Sequence, residues 1–229
     1  MTTIYLSPSD LAFLFDESKW GFYQKYNQNI KRPPLNLPKI FTTIDSLIKT
    51  KFIGQNLNTI NKNLPNANLK YADQWVKSKP IVSEDYPDIE IIIRGKIDSC
   101  FEYPDNTCAV IDFKTSEVNP EHLAKYQRQL NSYAYAIENP NSSKDFSVPM
   151  SDKCGLLVFE PNEFFIDYND KAGLKGKFAW VEMSYSGTQF EEFIKNEVIP
   201  IIVGKEPKPL VDDPYWVYLQ QLGIVFEEE

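Results

Sequence analysis

Cysteine and histidine are scarce in this chain. Its three cysteines, Cys100, Cys108 and Cys154, are too few and too scattered for a disulfide framework, and no CxxC pair offers a structural zinc site. Cys100 and Cys108 fall in apolar, strand-like context and read as small core residues. The single histidine is His122. Long apolar runs are missing too. Stretches such as Ile91 to Ile93 stop far short of the ~20 residues that span a bilayer, so no membrane helix is expected. The opening MTTIYLSPSD has no basic flank followed by an apolar stretch, so no secretory leader is expected and the chain reads as cytoplasmic. No GxxxxGK[ST] phosphate loop occurs. Nor is positive charge in excess: 24 Lys and Arg against 32 Asp and Glu give a net charge of −8. That balance disfavours a protein that coats nucleic acid, but an enzyme acting on nucleic acid needs only a local basic rim.

What is present is ordinary for a globular protein. Hydrophobic residues make up 42% and charged residues 24% of 229 residues, enough for one substantial domain. No repeat or clear linker divides the chain. Residues 1–229 are therefore read as a single domain: 1–85 mainly helical, 86–140 a motif-bearing core, and 141–229 the completing strands and a C-terminal helix. Ser7-Pro8-Ser9-Asp10 reads as a helix start, with a serine cap, proline at the first helical position and an acid three after the cap. KWGFYQKYN continues as a second helix, and Lys31 to Pro38, with three prolines, is a connector. A helical period returns in Ile44, Leu47, Ile48 and Phe52. Asn56 to Asn68 is asparagine-rich and has no clear period.

The middle of the chain is the most informative. Ile89 to Tyr103 reads as a strand, PDNT as a tight turn and Cys108 to Thr115 as a second strand. Glu121 to Glu138 carries a helical stripe of Leu123, Leu130, Ala134 and Ile137. Cys154 to Glu160 and Phe178 to Met183 read as strands, Thr188 to Ile202 as a helix, and the residues from Asp212 as a partly aromatic, acidic tail. This order predicts an α/β fold in which a mixed sheet is covered on both faces by helices.

The segment RGKIDSCFEYPDNTCAVIDFKTS places an acid in one strand and an acid-x-lysine in the next. Residues two apart on a strand share a face, so Asp112 and Lys114 project together while Ile111 and Phe113 point away. Pairing through a three-residue loop, or an equivalent bulge, sets Asp98 directly opposite Asp112. A register shifted by one puts them on opposite faces. Facing carboxylates repel by roughly 0.2–1 kcal/mol even when solvated, and by more among neighbours such as Ile97 and Val110, unless a cation sits between them. Mg²⁺ suits such a place, since it takes one or two carboxylates plus water and phosphate oxygens. Lys114 beside it could orient a water or stabilise charge growing on a phosphate. The plainer reading of Asp112 and Lys114 is a solvated salt bridge at a strand edge.

Gly95-x-x-Asp98, the short hairpin, IDFKTS and then QLNSY on the following helix together resemble the RecB-like branch of the PD-(D/E)XK nucleases. That branch also holds the nuclease domains of helicase–nuclease complexes and the nucleases of CRISPR adaptation. The resemblance is specific over Ile93 to Ile137. It implies a restriction-endonuclease-like mixed β-sheet core with an N-terminal helical region. It also implies Mg²⁺-dependent hydrolysis of DNA phosphodiester bonds, with Mn²⁺ able to substitute and with 5′-phosphate and 3′-hydroxyl products. Matched by motif, Asp98 and Asp112 are the two metal-binding acids, Phe113 lends its backbone carbonyl to the metal, and Lys114 is the catalytic lysine. Gln129 and Tyr133 match a glutamine-x-x-x-tyrosine motif, share a helix face, and would support the site and contact DNA. Taken alone, these two are the polar tip of an amphipathic helix. The implied partners are DNA and a helicase or integrase protein, in repair, recombination, CRISPR adaptation or mobile-element biology.

Two departures from the branch stand out. Its histidine ligand, on a helix well before the first acid, has no counterpart: His122 follows the lysine and reads as a surface residue. Asp45, in TTIDSLIK, occupies about the expected place and is a candidate acidic substitute; its other reading is an early-helix acid at the favourable end of the helix dipole. Some relatives hold an iron–sulfur cluster with four cysteines, and three cysteines predict none here. Candidate basic contacts are Arg94, Lys96, Lys125, Arg128, Lys171, Lys175 and Lys177, each otherwise a solubilising surface charge. A non-catalytic nucleic-acid- or protein-binding module that keeps the fold is the alternative to an enzyme.

Overall fold

The computed structural model describes residues 1–30, 38–115, 119–167 and 171–221. The chain opens with strand β1 (Thr2–Leu6) and a π-helical turn (Asp10–Leu14) that runs into α1 (Phe15–Glu17), followed by α2 (Lys19–Tyr26), α3 (Lys39–Phe52) and α4 (Leu57–Ile60). Short strands β2 (Asn68–Ala72), β3 (Trp75–Lys77) and β4 (Ile81–Ser83) precede the longer β5 (Tyr86–Lys96), then β6 (Ser99–Glu102) and β7 (Cys108–Lys114). Helix α5 (Leu123–Glu138) leads to the long hairpin of β8 (Lys153–Ile166) and β9 (Ala172–Ser184). Helices α6 (Gly187–Phe193) and α7 (Ile199–Val203) are joined by a π-helical segment, and α8 (Pro214–Gln221) ends the described chain.

The fold is α/β, built on two mixed sheets. One has the order β2-β6-β7-β8-β9 and is antiparallel except for β7 and β8, which run parallel. A parallel pair needs a crossover, and α5 supplies it. In the other, β5 pairs in parallel with β1 and antiparallel with both β3 and β4.

Strand alternation sends side chains to two hydrophobic clusters. Val110, Leu156 and Val158 join Leu130, Ala134 and Ile137 of α5, together with Leu6, Ile91 and Ile93 of the other sheet. On the opposite face Phe101, Ile111, Phe113 and Leu157 pack under Ile48 and Phe52 of α3 and Leu57 of α4. The five-stranded sheet is thus covered by helices on both faces. All three cysteines are free and buried. No helix among the described residues is long and apolar enough to cross a membrane.

Several boundaries differ from the sequence reading. Residues 1–85 hold four short strands besides their helices. Two of these, β1 and β2, pair with partners far along the chain, and β3 and β4 are only three residues long, so they carry little local signature. Ile89 to Tyr103 is two strands in two different sheets, broken at Ile97 and Asp98. The helix expected from Thr43 begins at Lys39, so Asp45 lies beyond its first turn and outside reach of the favourable dipole end. Leu47, expected on the buried stripe of that helix, is 65% exposed. The proline-rich connector, apart from Pro38, and the end of the acidic tail lie outside the described residues.

Candidate active site

The hairpin between β6 and β7 decides the site. The Tyr103 N–H donates to the Thr107 carbonyl at 2.9 Å, and the Asn106 N–H to the Tyr103 carbonyl at 3.0 Å. Pro104, Asp105 and Asn106 therefore form a three-residue loop, with Asn106 at φ 64°, a left-handed conformation that asparagine tolerates. The Asp105 carboxylate locks this loop by accepting from the Thr107 N–H at 2.9 Å and hydroxyl at 2.7 Å. The register that follows pairs Cys100 with Val110 and Ser99 with Ile111. One step further, the same register sets Asp98 opposite Asp112.

Val110 packs in the cluster under α5 while Ile111 and Phe113 pack in the other. Asp112 and Lys114, at the same parity as Val110, therefore face α5. Asp112 is only 8% exposed. Burial pushes its carboxyl up to about 7, with Lys114 opposing and Asp98 adding to the rise. Burial acts on Asp98 in the same direction, but a hydrogen bond from Asp112 and the nearby Lys49 ammonium outweigh it and hold Asp98 below the usual carboxylate range. The two facing carboxyls are thus driven apart, Asp98 held down and Asp112 pushed up. The Lys114 ammonium is ion-paired with Asp112 Oδ2 and lies 4.8 Å from the centroid of the Tyr126 ring.

Helix α5 closes the site from above. Tyr133 and Gln129 are both buried, and Gln129 Nε2 donates to Ser9 Oγ at 3.4 Å. Burial raises the Tyr133 hydroxyl well above the ordinary phenol range, with Asp112 and Asp98 adding to it. Gly95 is what lets the tyrosine in: a Cβ at that position would meet Tyr133 Cε1 at 2.9 Å and Pro8 Cδ at 3.0 Å. The glycine of Gly95-x-x-Asp98 is therefore a packing requirement as well as a motif letter.

On the other side stands Lys49 of α3, which sequence reasoning did not single out. Its ammonium lies 3.0 Å from Asp45 Oδ2 and 3.1 Å from Asp98 Oδ1. Asp45 does reach the acid pair, but through this lysine. Burial raises the Asp45 carboxyl, which Lys49 opposes and Asp98 reinforces. The signal in the sequence was an i,i+4 acid–lysine pair, which on a helix ordinarily marks a solvated face.

Whether these residues suit a divalent ion can be judged from their unmet oxygens. Asp45 Oδ1 and Gln129 Oε1 are buried without a hydrogen bond, and the buried Asp112 Oδ2 is met by the Lys114 ammonium alone. Buried acceptors left unmet are costly, and a hard cation with its waters would satisfy them. No group of three or more His, Cys, Asp or Glu side chains among the described residues is disposed to hold a metal. The Phe113 side chain is buried in the second cluster, so only its carbonyl is open to that use.

The remaining candidates are dispersed. His122 stands edge-on to Tyr126, 6.3 Å between ring centroids. Arg128 donates to Asp16 at 2.6 Å and to the Leu11 carbonyl at 3.2 Å, tying α5 to the first helix. Lys125 lies 3.9 Å from Glu17. Lys175 pairs with Glu163 at 2.9 Å on the β8–β9 hairpin, where Lys171 and Lys177 are also exposed.

Comparisons with protein-family models and with curated proteins find no match to this chain. Among solved structures it is similar to SSO0001, at 12% identity and a TM-score of 0.43, over 85% of this chain and 75% of that one.

Proposed function

We propose that this chain is a metal-dependent DNA nuclease of the PD-(D/E)XK superfamily, nearest its RecB-like branch. The observation that carries the reading is the opposition of Asp98 and Asp112 across the hairpin, with Lys114 on the same strand face as Asp112. A buried Asp112 set against the half-buried Asp98 is costly to ionise, and a divalent cation relieves that cost. Asp98 and Asp112 would hold Mg²⁺ or Mn²⁺ with the Phe113 carbonyl. When bound, such an ion lowers the pKa of its water and neutralises phosphate charge.

The protein's own groups do the rest. Lys114, steadied by Asp112 and the Tyr126 ring, donates to the attacking water or to a phosphate oxygen. Lys49 holds Asp98 ionised and oriented. Tyr133 and Gln129 wall the site from α5 and offer a hydroxyl and an amide to the DNA backbone.

A second reading, a binding module that keeps the fold, is favoured by Lys49, which already neutralises Asp98 without a metal. End-labelled single- and double-stranded DNA, incubated with Mg²⁺, Mn²⁺ or chelator, separates the two. The nuclease reading expects metal-dependent cleavage that falls at least a hundredfold in both Asp112→Ala and Lys114→Ala, a loss typical of removing charge stabilisation. Wild type that cuts under no metal, or cleavage that survives both substitutions, leaves the binding module ahead.

A further inference from the structure

The sheet formed by β1, β5 and β3 buries one face and leaves the other partly open. Ile91, Ile93 and Ile97 point into the core; Ile92, Arg94 and Lys96 stand on the other face, where Ile92 is covered and Arg94 and Lys96 are exposed. In antiparallel pairing the partners share a face, so Trp75 with Lys96 and Lys77 with Arg94 stand on the open side. Tyr5, paired with Ile92 in the parallel ladder, joins them. Trp75 is 63% exposed and Tyr5 48%, unusual for rings that the core could have taken. The cations are interleaved with them: the Arg94 guanidinium lies 5.7 Å from the Trp75 ring centroid, and the Lys77 ammonium 5.6 Å from that of Tyr5. Neither Lys77 nor Arg94 has an ion-pair partner among the described residues.

Between these side chains is a hollow of about 330 Å³, lined by Tyr5, Trp75, Lys77, Arg94 and Asp145. That volume suits one nucleotide unit. The face also leads to the acid pair by direct contacts. Lys96 is bridged at 3.0 Å to Asp73, which lies 3.9 Å from Lys49, which in turn lies 3.1 Å from Asp98.

We propose that this open sheet face is a platform for single-stranded DNA, with bases stacking on Trp75 and Tyr5 and phosphates meeting Lys77, Arg94 and Lys96. The proposal rests on the nuclease reading for its partner and adds the strandedness of the substrate. Flat rings read any base, and cations spaced along a strand follow a flexible backbone. A duplex, whose bases are stacked inward, has nothing to offer the rings. Asp145, which accepts from the Ser142 hydroxyl at 2.7 Å, is the one acid in the hollow and can accept from a base amino group. In a chain of net charge −8, two cations without an ion-pair partner, beside the Asp73-bridged Lys96, give this aromatic face the local complementarity that a polyanion needs.

Fluorescence anisotropy with a labelled oligo-dT of about 12 nucleotides, and with a duplex of equal length, tests this in chelator, where cleavage plays no part. Trp75→Ala should weaken oligo-dT binding about fivefold or more, and Trp75→Phe, which keeps a ring, should restore most of it. Lys77→Ala with Arg94→Ala should flatten the slope of log affinity against log salt by about 0.7 per cation removed. Trp75 is exposed, so its replacement leaves the fold intact, which circular dichroism verifies. Equal affinity of wild type and Trp75→Ala, or duplex bound as tightly as oligo-dT, overturns the platform even if the protein cuts DNA. A protein that binds oligo-dT through Trp75 yet never cuts DNA keeps the platform and loses the nuclease.

Discussion

Asp112 shows how one side chain can record a site. Its carboxyl titrates at about 7 because burial opposes its charge. Folding therefore raises its proton affinity, so protonation stabilises the native chain. That stabilisation is whole below about pH 4, the range of a free carboxyl, and is lost as pH rises through about 7. Asp112→Asn keeps a donor toward Asp98 and carries no charge to desolvate. From pH 5 to pH 8 in chelator the variant should lose clearly less stability than wild type, because only wild type has to ionise a buried carboxyl. Mg²⁺ added at pH 8 should raise the wild-type melting temperature and leave the variant unmoved. Scanning calorimetry at the two pH values is the check, and a variant that tracks wild type at both would dispose of the buried acid pair.

At the scale of elements, register and close approach place the catalytic candidates. The Gln129–Tyr133 face of α5 reaches the acids because β5 offers it a glycine. Gly95→Ala would put a Cβ 2.9 Å from Tyr133 Cε1 and 3.0 Å from Pro8 Cδ. Both neighbours are ring atoms held by the core, so the substitution should cost about 1–3 kcal/mol, measurable as a lower urea midpoint with an unchanged slope. The hairpin was legible in the sequence because a proline-initiated turn and two-residue periodicity act within a few residues of each other. The break between β5 and β6 was not, since Ile97-Asp98-Ser99 continues the apolar alternation with no proline or glycine to mark the bend. The outer halves of β8 and β9 were missed for the opposite reason. The strands were read only as Cys154 to Glu160 and Phe178 to Met183, and Pro161, Gly173 and Gly176 are poor strand residues, yet the pairing runs on to Ile166 and Ala172, bulged between Pro161 and Glu163.

At the scale of the whole molecule, the two sheets are not independent. Leu6, Ile91 and Ile93 of one share a cluster with Val110, Leu156 and Val158 of the other, and with α5. Trp180 packs on the second cluster and Trp20 in a small third one with Tyr215 and Leu219. Tryptophan fluorescence and far-ultraviolet circular dichroism thus report different regions, and the shared core predicts that their urea transitions coincide. Separated transitions would mean that the sheets unfold as separate units.

The sequence by itself determined the α/β class, the helices over both faces, the shared face of Asp112 and Lys114, and the pairing of Gln129 with Tyr133. Each follows from strand or helix periods, which act over a few residues. It also narrowed the Asp98–Asp112 register to two choices, between which the three-residue loop then decided. Tertiary structure alone decided what distant segments bring together. Lys49 meets Asp98 across 49 residues, Asp45 reaches the acid pair only through that lysine, and Tyr5, Trp75 and Arg94 gather on one open face. No local period encodes such meetings, because they are set by which sheet edge remains free once the core has closed.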